Sequence, residues 1–123
     1  MKIWKVALLM SDMKAAEELY VNKLGLKIVE RLDVGEAGEC LILDAGAIKL
    51  ELIPEAVFEG ADGLDRPGIH HLSFASDDVE QDAETLRSRG VTITRDPFQP
   101  LEGMTLAFLD GFDGTNLQLF HRE

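Results

Sequence analysis

One cysteine, one tryptophan, one tyrosine and four prolines in 123 residues leave this chain short of special-purpose side chains. The lone Cys40 excludes an internal disulfide. Basic residues are also scarce, 12 Lys and Arg against 23 Asp and Glu, for a formal charge of −11. Nucleic-acid binding depends on neutralising phosphates with Lys and Arg, so this balance argues against it. It fits a cationic ligand, and it equally fits an acidic surface that serves solubility. No long apolar run marks a membrane span, and no charged N-terminal stretch followed by an apolar segment marks a leader, so a soluble cytoplasmic protein is expected.

With 46% hydrophobic residues the chain can bury a core as one compact domain. Each half alone, at about sixty residues, would be marginal, so the halves are expected to pack together.

The most informative stretch is Pro67 to Val79, which joins a strand pattern to a helix start and holds two of the three histidines, His70 and His71. Its apolar pattern from Ile69 to Val79 repeats that of Ile3 to Met13 at an offset of 66. Leu43-Asp44 matches Leu109-Asp110 at the same offset, and Leu50-Glu51-Leu52-Ile53 matches Leu117-Gln118-Leu119-Phe120 at 67. The chain reads as one module written twice, residues 1–53 and 68–123, joined by the Gly- and Pro-bracketed linker 54–67.

Each module reads β-α-β-β-β. In the first, a strand over residues 2–10 precedes Ser11-Asp12 and a helix whose apolar positions are Met13, Ala16, Leu19, Tyr20 and Leu24, ended by Gly25. Strands follow over 26–32, 39–43 and 47–53. In the second, Asp77 with Glu80 forms a capping box for a helix carrying Val79, Ala83 and Leu86 and ended by Gly90. Then come a strand over 91–95, a turn around Pro97 and Pro100, a strand over 104–109, the turn 110–114 and a strand over 116–121. Eight short strands and two helices exclude a doubly wound parallel sheet. The expected fold is α+β, two βαβββ modules whose curled sheets surround a shared cleft.

Period-two parity selects the side chains that reach that cleft. With Val6, Leu8, Leu50, Leu52, Leu72, Phe74, Leu117 and Leu119 facing the helices, Lys5, Glu51, His71 and Gln118 turn the other way among apolar neighbours. Buried polar groups are costly unless paired or used, so these four require a joint explanation. His70, on the helix side, is expected to be a structural or rim residue and His121 to be solvated; Cys40, with no base beside it, is a buried thiol. Phe58 and Phe112, in connectors, are candidate walls of a ligand site.

Val6-Ala7-Leu8 with Ser11-Asp12, Leu24 to Glu30, Gly68 to Phe74, Leu106 to Asp110 and Leu117-Gln118-Leu119, in this doubled order, resemble the vicinal oxygen chelate superfamily. That superfamily includes glyoxalase I, methylmalonyl-CoA epimerase, extradiol dioxygenases and the fosfomycin and bleomycin resistance proteins. The resemblance implies metal ligands on the first and last strand of each module, which here are Lys5, Glu51, His71 and Gln118. Lys5 departs from the pattern, because an ammonium has no lone pair to give. Glu51, His71 and Gln118 remain as ligands for a divalent nickel, zinc, manganese or iron ion.

Two functions follow from the resemblance. One is a metal-dependent lyase or isomerase, glyoxalase-like or epimerase-like, acting on a small oxygenated metabolite with Glu51 as base. The other is a metal-free protein that sequesters a cationic antibiotic or metabolite, as bleomycin resistance proteins do, with Lys5 filling the metal position. The acidic charge leans toward the cation and away from the anionic glutathione and CoA thioesters. The resemblance also implies a homodimer.

Overall fold

The computed structural model describes residues 1–112 and 115–123. Along the chain run β1 (Lys2–Met10), α1 (Met13–Glu17), β2 (Lys27–Asp33), β3 (Glu39–Asp44), β4 (Lys49–Pro54), β5 (Gly68–Ala75), α2 (Val79–Ser88), β6 (Ile93–Leu101), β7 (Met104–Asp110) and β8 (Asn116–Arg122). The order β-α-β-β-β occurs twice, and the fold is α+β. Asp113 and Gly114, the end of the turn expected over 110–114, lie outside the described residues. The chain divides into two compact units, Lys5–His70 and Met1–Trp4 with His71–Glu123.

In the Lys5–His70 unit the strand order is β2-β3-β4-β1. β1 and β4 are parallel, and the other neighbours are antiparallel. Leu8, Leu41, Leu43 and Leu52 bury one face of this sheet with Ala16 of α1, and Tyr20 and Val21 pack against them. Fully burying such a leucine is worth roughly 1.5–3 kcal/mol, so this layer sets where the helix lies.

Asp12 caps α1, its carboxylate accepting from the Ala15 N–H at 3.0 Å. The helix does not continue regularly to Gly25 as its apolar spacing predicts. After Glu17 the backbone widens into a π-helical turn over Glu18–Lys23, in which the Leu24 N–H donates to the Leu19 carbonyl at 2.8 Å. The wider turn puts Tyr20 and Val21 against the core and leaves Leu19 and Leu24 exposed by 44% and 60%. Gly25, at φ +78°, then supplies the left-handed stop.

In the other unit the order is β5-β8-β7-β6, with β5 and β8 parallel and the rest antiparallel. Val79 and Ala83 of α2 bury against Ala107, Leu109 and Leu119, with Phe74, Leu86 and Leu117 at the margin.

Three expectations are corrected in this unit. The helix cap is Asp78, one residue later than the Asp77 and Glu80 box; Asp78 Oδ1 accepts from the Gln81 N–H at 3.0 Å. Ser76 Oγ, not Glu80, receives the Asp78 N–H, at 3.2 Å. Pro97 and Pro100 do not form a turn but lie within β6. β6 is last in the strand order and shifts register around both prolines, so the N–H groups they lack are not needed by the ladder. His121 is half-buried rather than solvated, and its Nδ1 lies 3.0 Å from the Ser76 carbonyl.

Candidate functional site

Strand parity works as expected on the face of each sheet opposite its helix. In the Lys5–His70 unit that face carries Ala7 and Leu9 of β1, Cys40 of β3 and Ile53 of β4, with Leu32, Val34 and Phe58 packed against them. Ala7 pairs with Glu51 across the parallel β1 and β4 ladder. Lys5 precedes Ala7 by two residues and so lies on the same face, one step along from Glu51. Its Nζ donates to Glu51 Oε1 at 2.5 Å, and the two side chains are 5% and 7% exposed. An ion pair taken this far out of water persists only where each charge compensates the other.

Next to this pair Cys40 is a protonated thiol at neutral pH. Burial pushes it up to about 12, the Glu51 charge adds to the shift and the Lys5 ammonium opposes it. It is therefore no nucleophile. His70 is buried as well, with its ring 4.2 Å from that of Phe58 and its Nε2 2.5 Å from the Leu64 carbonyl. Burial holds its pKa below the ordinary histidine value, against the opposing effects of that carbonyl and of Glu51. His70 thereby ties linker residues to the start of β5.

In the other unit the face opposite α2 carries His71 and Ser73 of β5 with Gln118 and Phe120 of β8. Ser73 stands directly across the ladder from Gln118 and donates to its Oε1 at 2.8 Å. The Trp4 indole N–H donates to Ser73 Oγ at 3.1 Å, and its ring lies 4.8 Å from that of Phe120. His71 is 2% exposed, with its ring edge-on to Phe108 at 5.5 Å.

The repeat makes the difference between the modules legible. Ala7 and Glu51 of the first correspond to Ser73 and Gln118 of the second. An alanine offers its cross-strand neighbour nothing, and Glu51 turns to Lys5; a serine offers a hydroxyl, and Gln118 turns to it.

The structure thus joins Lys5 with Glu51, sets Phe58 against His70 on that same face, and joins Gln118 with Ser73. Phe112, by contrast, is 78% exposed in the β7 to β8 turn. Ser73 and Trp4 are missing from the sequence-derived candidates. A hydroxyl at the position where the first module has Ala7 was the signal for Ser73.

The donor set is poorer for a divalent metal than the resemblance implies. Lys5 has no lone pair while it is charged, and it occupies one oxygen of Glu51. The Gln118 oxygen, the atom an amide gives to a metal, is occupied by Ser73. Among the described residues no group of three or more His, Cys, Asp and Glu side chains stands together.

Comparison with known proteins places this geometry in context. A family model described as Glyoxalase/Bleomycin resistance protein/Dioxygenase superfamily matches residues 2–119. An Arabidopsis thaliana protein described as "Probable lactoylglutathione lyase, chloroplastic" is 28% identical over 115 residues. The match covers 90% of this chain, which spans only 33% of the relative's length. Among solved structures, a hypothetical protein from Bacillus halodurans C-125 superposes with a TM-score of 0.80 at 24% identity, covering 99% of this chain and 94% of the other. A variant of Streptomyces coelicolor methylmalonyl-CoA epimerase in complex with 2-nitronate-propionyl-CoA does so at 0.73 and 24% identity, covering 100% and 98%. At that identity the two structures establish the shared fold.

Proposed function

The chain belongs to the Glyoxalase/Bleomycin resistance protein/Dioxygenase superfamily, and from that membership we propose that it binds a small oxygenated, cationic molecule without a divalent ion. The observation that carries this reading is the buried contact between Lys5 Nζ and Glu51 Oε1 at 2.5 Å. Lys5 supplies in fixed form the positive charge that a metal supplies in metal-loaded relatives, and it neutralises Glu51 in the absence of any ion. Glu51 keeps its second oxygen to accept from an N–H or O–H of the ligand. The net charge of −11 draws a cation toward the surface. Phe58, packed against the cluster of Ala7, Leu9, Cys40 and Ile53, is the proposed aromatic wall, and a homodimer in the cytoplasm is the proposed setting.

Metal analysis of protein purified without chelator, repeated on Lys5→His, tests this reading. The wild type is expected to hold no stoichiometric metal, and the variant, with an imidazole beside Glu51, to acquire it. Equal, stoichiometric metal in both proteins would overturn the lysine-for-metal reading.

A second reading, a lyase or isomerase with Glu51 as the base, is favoured by the likeness to the lactoylglutathione lyase. Its test is turnover of the methylglyoxal–glutathione adduct. Activity in the wild type that disappears in Glu51→Gln supports this reading, and equal activity in both removes Glu51 as base.

A further inference from the structure

The Lys5–His70 unit has a groove of about 220 Å³ on the helix side of its sheet, away from the face that carries Lys5 and Glu51. Its floor is apolar. Leu41 of β3 and Pro54 of β4 are buried there, and Met13 at the start of α1 packs against the same core. Its rim is charged. Arg31 is the cross-strand partner of Leu41 and so shares its face. One guanidinium nitrogen of Arg31 lies 3.2 Å from Glu17 Oε1 and another 3.6 Å from Glu39 Oε1. Lys14, three residues before Glu17, lines the same flank of α1. It is exposed, and among the described residues its ammonium has no ion pair or hydrogen bond. Two carboxylates thus share one guanidinium while one ammonium stands unpaired. The rim sums to zero, with carboxylate in excess around Arg31 and positive charge in excess at Lys14.

We infer that this groove is a second binding site, for a free α-amino acid with an apolar side chain. The ligand's carboxylate meets Lys14, its ammonium meets Glu39, and its side chain lies on Met13, Leu41 and Pro54. Size and charge choose this ligand over its competitors. The groove is smaller than the roughly 300–1,000 Å³ of pockets for drug-sized ligands, so it is too small for a nucleotide and suits a single residue. A simple anion would meet two carboxylates, and a simple cation would leave Lys14 uncompensated. A zwitterion satisfies both excesses at once. The site is independent of the reading of Lys5 and Glu51, which face the other side of the same sheet.

The test titrates leucine, leucinamide, N-acetylleucine and glycine into the intact chain and follows the backbone amide shifts of Lys14, Gly38 and Glu39 by NMR. Leucine is expected to bind about three- to fivefold more tightly than leucinamide or N-acetylleucine, the scale of one ion pair on a partly exposed rim. Glycine, with both charges and no side chain, is expected to bind about tenfold more weakly than leucine. The net charge of −11 favours leucinamide, so a preference for leucine over it comes from the groove and not from the overall field. Lys14→Gln is expected to abolish the preference over leucinamide, and Glu39→Gln the preference over N-acetylleucine. Both positions are exposed, and unchanged melting temperatures are expected to show that the variants fold. Tightest binding by N-acetylleucine would point to the C-terminus of a peptide, and by leucinamide to its N-terminus. Either result, unchanged preferences in the two variants, or no saturable shift with leucine would overturn the inference, and each leaves the reading of Lys5 and Glu51 standing.

Discussion

Phe112 occupies in the second module the turn position that Gly46 occupies in the first. Their φ angles are +68° and +96°, and each N–H donates to the carboxylate of the aspartate two residues earlier, Asp110 at 3.0 Å and Asp44 at 2.9 Å. A left-handed backbone is free to glycine and costs another residue roughly 1–2 kcal/mol. Phe112 is 78% exposed and recovers little of that by burial. Phe112→Gly is therefore expected to raise stability by roughly 0.5–1 kcal/mol, after the extra chain entropy of glycine is counted. A urea midpoint that falls in the variant would show that the ring contributes more than its backbone loses.

The Lys5 and Glu51 pair gives a second prediction. Removing one partner leaves an uncompensated buried charge, so Lys5→Met and Glu51→Gln are each expected to lose roughly 3–5 kcal/mol. The double variant Lys5→Met with Glu51→Gln loses far less than the sum, because neither charge remains. Additive losses in a double-mutant cycle would mean that the two side chains stabilise the fold independently.

Asp78 and Asp77 differ only in which one caps α2. Asp78→Ala is expected to cost about 1 kcal/mol and Asp77→Ala almost nothing. Thermal melts of the two variants decide between them, and a larger loss at Asp77 would return the cap to the position expected from sequence.

Two buried groups predict opposite pH trends. His70 titrates below its ordinary value of 6.5 in the fold, so the unfolded chain takes up a proton there first. Its contribution to stability is complete above that value and declines as pH falls through the lowered one. His70→Gln is expected to flatten the acid limb of a stability-against-pH curve. Cys40 is raised from 9.0 to about 12, so the unfolded thiol ionises first and stability declines between those values as pH rises. Near pH 8 a thiol reagent is expected to label Cys40 only after denaturant is added, and rapid labelling of the native protein would contradict its burial.

Much of the fold was legible in the sequence because period and repeat are long-range regularities. The 66-residue offset located both modules, and parity placed Leu8, Leu52, Leu117 and Leu119 against the helices. The offset also carried the right cap: Asp12 plus 66 is Asp78, whereas the local box chose Asp77. What escaped were features decided by a single backbone choice. The π-helical turn at Glu18–Lys23 leaves no mark in an apolar pattern that tolerates a shift of one residue. Pro97 and Pro100 read as turn residues because sequence does not say that β6 lies at the end of the strand order. At the candidate site, Lys5 and Glu51 were legible through parity. The Trp4 to Ser73 to Gln118 chain was not, because it joins residues 69 and 45 positions apart through hydroxyl geometry.

The grouping of Met1–Trp4 with His71–Glu123 bears on ancestry. If the gene arose by duplication, a solitary ancestral repeat had no upstream strand from which an indole could reach its serine. Such a half-length chain would have had to borrow that group from another molecule. Expressing residues 68–123 alone and adding back a peptide of the first ten residues re-enacts that step, with the indole's fluorescence reporting whether it finds its place.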